Sequence, residues 1–459
     1  MKKEHCLYFL LFVLLYTYLI LRAIYLFPVH DEIVSKWSYM VDWNPLPYQG
    51  YIDANNQFLN SLLGGLFIRL FQSDQAFIIR LPSLLAFPFY FFAVLKFRKF
   101  FKKHFSFAFF FVAILFNPFI LEFFALARGY AMAWTFLIWC FLMLFKLLES
   151  KRSQYFFLLL LFAILSLYAN LSLIIPVCLV VAIGSLFVLL QLKKSQKLSA
   201  SIGLIIWLLP FFYLIDYSLE LQKIGKLYLG DSNSFYRTSI ENLFNLSFDF
   251  GGIPALIISI IFLALISIQL FKQLKEKKWH FNTQSIFPFL FLTAVVGVIL
   301  LQLILGINYP ENRAAAYFYL LGMPAVAFAI DQLRIKYIAW PLSILTLFAF
   351  AVQYNLKDTK AYSHEYINFE ILENIPAKVY GIPTVCGGRQ LAGSKVIYRE
   401  SNLPNPHFFQ TALSEADTLQ DYIMCLEEDR ENITDFYDLI AKAEDSRMLL
   451  YKRKKFLKR

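Results

Sequence analysis

Apolar residues run in membrane-length stretches along most of this chain, at roughly 7 to 28, 76 to 97, 105 to 123, 129 to 148, 155 to 171, 173 to 192, 201 to 219, 252 to 271, 285 to 306, 314 to 333 and 336 to 354. About 20 apolar residues in a helix cross about 30 Å of hydrocarbon, so the pattern predicts about eleven transmembrane helices. Residues 57 to 72 follow another rule. Phe58, Leu59, Leu62, Leu63, Leu66, Phe67 and Leu70 recur at helical spacing, which predicts an amphipathic helix lying in the interface. Near residue 355 the apolar runs shrink and charges become frequent; strand-like stretches at 378 to 380 and 395 to 398 alternate with a helical pattern around 417 to 428. The expectation is a mainly α, polytopic membrane protein with two domains, a helical bundle over 1–354 and a small α/β domain over 355–459.

Composition supports the membrane class, since 59% apolar residues and 51 Phe among 459 exclude an ordinary soluble globule. The apolar run ending at Phe27 is too long for the core of a signal peptide and no A-x-A site follows, so it reads as a retained first span. Lys and Arg cluster at the N-terminus, at 96 to 103, around Lys151 and Arg152, at Lys193 and Lys194, from Lys272 to Lys278, and at Arg334 and Lys336. These alternate loops hold about 19 basic residues against about 7 in the opposite ones, which makes them cytoplasmic and puts the C-terminal domain outside. The formal charge of +11 is thereby accounted for by topogenic loops beside anionic headgroups, with no nucleic-acid partner required. Zinc-type cysteine spacing, a P-loop and a G-x-G-x-x-G unit are all missing from the sequence, against an ATP-driven pump or a soluble-type nucleotide enzyme. Cys386 and Cys425 share the outer domain, where a disulfide is an open question; Asn432-Ile433-Thr434 fits the N-glycosylation pattern but reads rather as a surface turn, and Lys452 to Lys455 as a solvated or headgroup-facing tail.

The candidate chemistry lies on the outer side. His30-Asp31-Glu32 directly follows the first span, and a carboxylate at midspan costs about 2.5 to 3.5 kcal/mol, so acids beside hydrocarbon are usually retained for a task. In a solvated loop they would cost little. Arg128 interrupts two apolar runs; a guanidinium there can hold a phosphate through bidentate hydrogen bonds, and its bland alternatives are a snorkelling anchor or a pair with Glu122. Arg80, Arg237 and Arg313 each read alone as a boundary anchor; together with Lys223 and Lys226 they make a basic outer surface suited to a polyprenyl phosphate or pyrophosphate.

The string from Phe71 to Ser83, with Arg80-Leu81-Pro82-Ser83 at its end, resembles the segment before the second span of bacterial GT-C glycosyltransferases related to protein O-mannosyltransferases and lipid A aminoarabinose transferases. Ala127-Arg128-Gly129-Tyr130 looks like their A-R-x-Y element, Asp31-Glu32 like the acidic pair of their first outer loop, and Tyr309 to Arg313 like a late outer loop. One departure stands out: Asn56-Gln57-Phe58 occupies the place where many relatives carry His-Pro-Pro.

The resemblance, covering roughly residues 1 to 355, implies a GT-C bundle that transfers a sugar from a polyprenyl-phosphate donor to a glycan, lipid A or protein acceptor, with inversion, at the outer face of a bacterial inner membrane. It implies Asp31 and Glu32 as catalytic carboxylates and Arg128, Tyr130 and Arg313 as binders of the donor phosphate. Asn56, Gln57, Arg80 and Arg237 would position substrate. No cofactor is demanded, and a divalent metal is compatible with the paired acids. The competing readings are a lipid-linked-glycan flippase or transporter, which predicts charges or broken helices at mid-membrane, and a noncatalytic scaffold.

Overall fold

The computed structural model describes residues 2–26, 28–226, 230–275, 283–357, 359–362, 422–426, 437–442 and 448–454. Two compact units divide the chain: one contains Met1–Ile24 and Ser38–Leu356, the other Tyr25–Trp37 and Lys357–Arg459.

In the first unit the helices follow the apolar stretches. They are α1 (Lys2–Tyr25), α4 (Ala76–Lys96), α5 (His104–Leu115), α6 (Pro118–Glu122), α7 (Tyr130–Ser150), α8 (Ser153–Ala169), α9 (Ile174–Gln191), α10 (Lys194–Lys223), α12 (Gly252–Lys275), α13 (Thr283–Leu305), α14 (Ala316–Leu333) and α15 (Lys336–Val352). Among the described residues, eight helices are long and apolar enough to cross a membrane, nine when α5 and the segment Pro118–Ala125, bent by 47°, count as one. The stretches expected at 155–171 and 336–354 form α8 and α15, of 17 residues each. Together these helices account for all eleven stretches, and the protein is a mainly α, multi-pass membrane protein.

Two further helices belong to the segments between spans: α3 (Phe58–Phe71), where the amphipathic helix is expected, and α11 (Asn242–Phe248). In α3 the face that is buried carries Asn60, Ser61, Gly64 and Gly65 with Phe58, whereas Leu66, Leu70 and Phe71 are exposed. Small and polar residues thus face the bundle, because Gly64 and Gly65 allow Met40 and Trp43 to approach closely, and the apolar residues face outward. α7 and α14 form the centre. Of the most apolar stretch of α14, 94% is buried, against 17% for α10 and 22% for α13 at the periphery.

A buried ionic network closes one end of α1. Arg22 pairs with Glu122 at 3.4 Å and donates to Tyr18 and to the Asn355 carbonyl, while Arg80 donates to the Ala23 carbonyl at 3.0 Å. A buried charge needs such partners, and here two arginines hold the end of the first span against α4, α6 and the chain leaving α15.

Among the described residues the second unit holds α2 (His30–Ser35) and three antiparallel strands in the order β1 (Tyr422–Leu426), β3 (Met448–Arg453), β2 (Tyr437–Lys442). This corrects the helical pattern around 417 to 428: Tyr422-Ile423-Met424-Cys425-Leu426 is a five-residue apolar run that pairs in full register with β3, and short apolar runs do not separate helix from strand by periodicity. Lys452 and Arg453 are likewise strand residues rather than tail, and Lys454 lies 3.8 Å from Asp438. The stretches 378–380 and 395–398, Cys386 and the triplet 432–434 lie outside the described residues.

Candidate functional site

The site is built around the link between α6 and α7. Asn117 caps α6 by accepting from the Ile120 amide, a 3-10 turn follows at Phe123–Ala125, and Leu126 turns extended before α7 starts at Tyr130. Buried backbone outside a helix needs other hydrogen-bond partners. Side chains from α3, α4 and the loop before α3 supply them: Asn60 donates to the Ala127 carbonyl (2.9 Å), Ser83 donates to the Arg128 carbonyl (3.0 Å), and Gln57 accepts from the Gly129 amide. Gly129 has no room for a side chain, since a Cβ there would overlap the Ala169 carbonyl oxygen.

Arg128 is 2% exposed and donates from Nη1 to Asn55 Oδ1. Asn55 is presented by an Asp53-headed turn in which Asp53 accepts from the amides of Asn55 (2.8 Å, side chain) and Asn56 (3.1 Å, carbonyl). Asp53 also meets Lys226 at 3.7 Å, and its carbonyl accepts from Tyr217. Nearby, Tyr39 donates to the Tyr51 carbonyl; burial, then the Asp53 charge, raise its pKa well above the usual phenol value, so it stays a donor. Two guanidinium groups converge on Tyr130. Their Cζ atoms lie 5.8 Å (Arg128) and 5.9 Å (Arg313) from its ring centroid, and Arg313 Nε donates to the Tyr130 hydroxyl at 3.2 Å.

Tyr130 also lines a cavity of about 230 Å³, whose mostly apolar wall carries the polar side chains of Asn56, Gln57, Asn170, Ser172, Asn308 and Tyr317. A second, almost wholly apolar cavity of about 200 Å³ lies among α11, α12, α13 and α14. Phe291 and Val295 of α13 line this second cavity, and Val298 and Leu301 line the first. At spacings of four, three and three these four residues share one helix face, so the two cavities follow each other along α13.

No family model matches the chain, and no curated protein matches its sequence. In structure it is similar to ArnT from Cupriavidus metallidurans in the apo state, with a TM-score of 0.56 and 11% identity over 98% of each chain. It is similar also to that protein bound to undecaprenyl phosphate, at 0.53 and 9%, again over 98% of each chain. The chain has the ArnT fold. That agrees with the GT-C resemblance carried by the motifs at 71–83 and 127–130.

On this ArnT fold the nine candidate residues separate. Arg128, Tyr130 and Arg313 come together, with Asn56 and Gln57 beside them on the cavity wall. Arg80, fully buried, is instead bound to the end of α1, and Arg237 is exposed on a turn of π-helix at Tyr236–Glu241. Glu122 is ion-paired with Arg22. Asp31 and Glu32 belong to the second unit. There Glu32 is fully buried in the first turn of α2 and accepts from the Val29 amide at 3.2 Å, while half-buried Asp31 accepts from the Tyr362 hydroxyl at 3.1 Å. Among the described residues no three His, Cys, Asp or Glu side chains gather as a metal site. Asn170, Ser172 and Tyr317 are not among the residues the sequence singles out. Polar residues between two apolar runs mark the first two, but nothing in Ala314-Ala315-Ala316-Tyr317 distinguishes the tyrosine.

Proposed function

We propose that this protein is a membrane glycosyltransferase that moves a sugar from a polyprenyl-phosphate donor to an acceptor hydroxyl on the outer, periplasmic or extracellular, side of a bacterial inner membrane. One observation carries the reading: two guanidinium groups meet at Tyr130, on the wall of a cavity that carries several amides and hydroxyls and is followed along α13 by an almost wholly apolar one. An anion, a sugar and a lipid tail in sequence are the parts of such a donor. The undecaprenyl phosphate bound to ArnT supports a ligand of this class for the fold.

In the proposed reaction the acceptor oxygen bonds to the anomeric carbon as the bond from that carbon to the phosphate oxygen breaks, with inversion. Asp31 takes the acceptor proton, and the polyprenyl phosphate leaves with its charge held by Arg128 and Arg313. A phosphate needs no protonation to depart, so one carboxylate suffices as base, where a glycoside hydrolase needs two. A charge-assisted hydrogen bond to the leaving group contributes about 1.5 to 3 kcal/mol. Glu32 orients the acidic turn through its bond to the Val29 amide. Asn56 and Gln57 position the sugar.

A transporter reading draws on the 47° bend after α5. That break is closed by the Asn117 cap, and Glu122 beyond it is taken by Arg22, so it offers a path no charge of its own. The discriminating experiment supplies purified protein with glycosylated polyprenyl phosphate and a panel of glycan, lipid and protein acceptors, without an energy source. Sugar transfer is the expected result; donor movement across vesicles with no glycosidic product sinks the enzyme reading.

A further inference from the structure

We infer that the cavity beside Tyr130 selects a neutral sugar over amino or acidic sugars. This rests on the donor reading above and adds the chemical class of the group transferred.

The lining carries the argument. Among the described residues no charged side chain lines this cavity; its polar groups are amides and hydroxyls. Two of the amides are fixed in orientation, because a backbone N–H can only donate: Gln57 Oε1 accepts from the Gly129 amide, and Asn170 Oδ1 accepts from the Ser172 amide at 2.8 Å. Each carbonyl end is used by the fold, which leaves the NH2 end as what the side chain brings to the cavity. Asn56 is arranged likewise, its Oδ1 accepting from Ser61 at 3.0 Å. Two hydroxyls join them. Tyr317 is 1% exposed and Ser172 lies at the same wall, and among the described residues neither hydroxyl has a hydrogen-bond partner. A buried hydroxyl without a partner is uncommon in a native structure and points to a ligand or a bridging water.

Neutral NH2 and OH groups match the hydroxyl, ring and amide-carbonyl oxygens of an uncharged sugar. An ammonium in this cavity would lose its hydration without gaining a carboxylate, and a uronate would lose its own without gaining a cation, since the two arginines at Tyr130 are engaged by the donor phosphate. Tyr130, Tyr168 and Phe58 add aromatic walls that suit the C–H faces of a sugar ring and need no charge.

The test measures equilibrium binding to the full-length protein in detergent, which needs no acceptor. The probes are short-chain polyprenyl phosphate alone and the same lipid carrying a neutral hexose, an amino sugar or a uronic acid. The neutral donor should bind more tightly than the bare lipid and on the order of 100-fold more tightly than either charged one. Tyr317→Phe, which keeps the ring, should weaken the neutral donor about 5- to 10-fold and leave the bare lipid unchanged. Charged donors that bind as well as the neutral one overturn the inference and leave the donor reading standing; so does an unchanged Kd for the neutral donor in Tyr317→Phe. Should that variant fail to fold, the wild-type panel decides alone. If bare polyprenyl phosphate does not bind at all, the donor reading itself fails and the inference with it.

Discussion

The loop after the first span is held in two different ways along its length. Residues 30 to 35, with the acidic pair, form one short helix in the second unit, secured by the Glu32 carboxylate at its start and by Tyr362 on Asp31. Residues 53 to 61 belong to the membrane unit, where Asn55, Gln57 and Asn60 are bound to Arg128, Gly129 and Ala127 in turn. The acids are thus held by bonds within the second unit, and the amides by the bundle itself. Changes at the acids should therefore alter chemistry more than folding, and changes where the amides dock should do the reverse.

Asp31→Asn should give the largest effect of the first kind. The amide keeps the shape and can still accept from Tyr362, but it cannot take a proton, so transfer should fall ~10² to 10⁴-fold, or about 3 to 5 kcal/mol in barrier. Donor binding and thermal stability should stay near wild type. A normal transfer rate at matched protein levels removes Asp31 from the role of base. Gly129→Ala should give the largest effect of the second kind. Its Cβ would meet a backbone carbonyl rather than a movable side chain, so a loss of about 3 kcal/mol is expected, read as a lower unfolding temperature and poor yield. Wild-type stability in Gly129→Ala would mean that the docking of α7 on α8 is looser than described.

The same contrast sets how much could be read in advance. Helices announce themselves because hydrocarbon demands an uninterrupted apolar run, and all eleven stretches became helix. α10 runs from Lys194 to Lys223, beyond the expected 201 to 219, because polar residues can continue a helix past the apolar part. Arg128 was legible as a cation interrupting apolar sequence, and its neighbours Asn56 and Gln57 as a polar cluster. Tyr317 was not, since one tyrosine among 27 carries no signal until its hydroxyl is found buried with no partner among the described residues. Arg80 reads ambiguously for a physical reason: a basic residue at a span end looks alike in sequence whether it faces a phosphate or, as the bond to the Ala23 carbonyl shows for this one, the end of a neighbouring helix. Nor did the sequence distinguish β1 from helix, because five apolar residues satisfy either period.

A sharper test of the amide-held region is Arg128→Lys. The ammonium keeps the charge but loses the planar fork that reaches Asn55 and faces Tyr130, so donor affinity should fall by roughly tenfold or more, about 1.5 to 2 kcal/mol, with Arg128→Ala losing more. Wild-type kinetics in both variants at normal protein levels would return Arg128 to a structural anchor.

The smallest effect should come from the neighbour of the base. Glu32 is fully buried, and its carboxylate accepts the Val29 amide at the start of α2, a bond that Glu32→Gln can keep through the side-chain carbonyl oxygen while losing its charge assistance. About 1 kcal/mol is expected, divided between a slightly less stable α2 and a base held less firmly, so transfer should drop less than tenfold. Steady-state rates at saturating donor, compared directly with Asp31→Asn, separate the two roles. If Glu32→Gln is inactive while Asp31→Asn transfers normally, the roles within the pair are exchanged: the buried acid is the base, and the half-buried one, bound to Tyr362, only orients it.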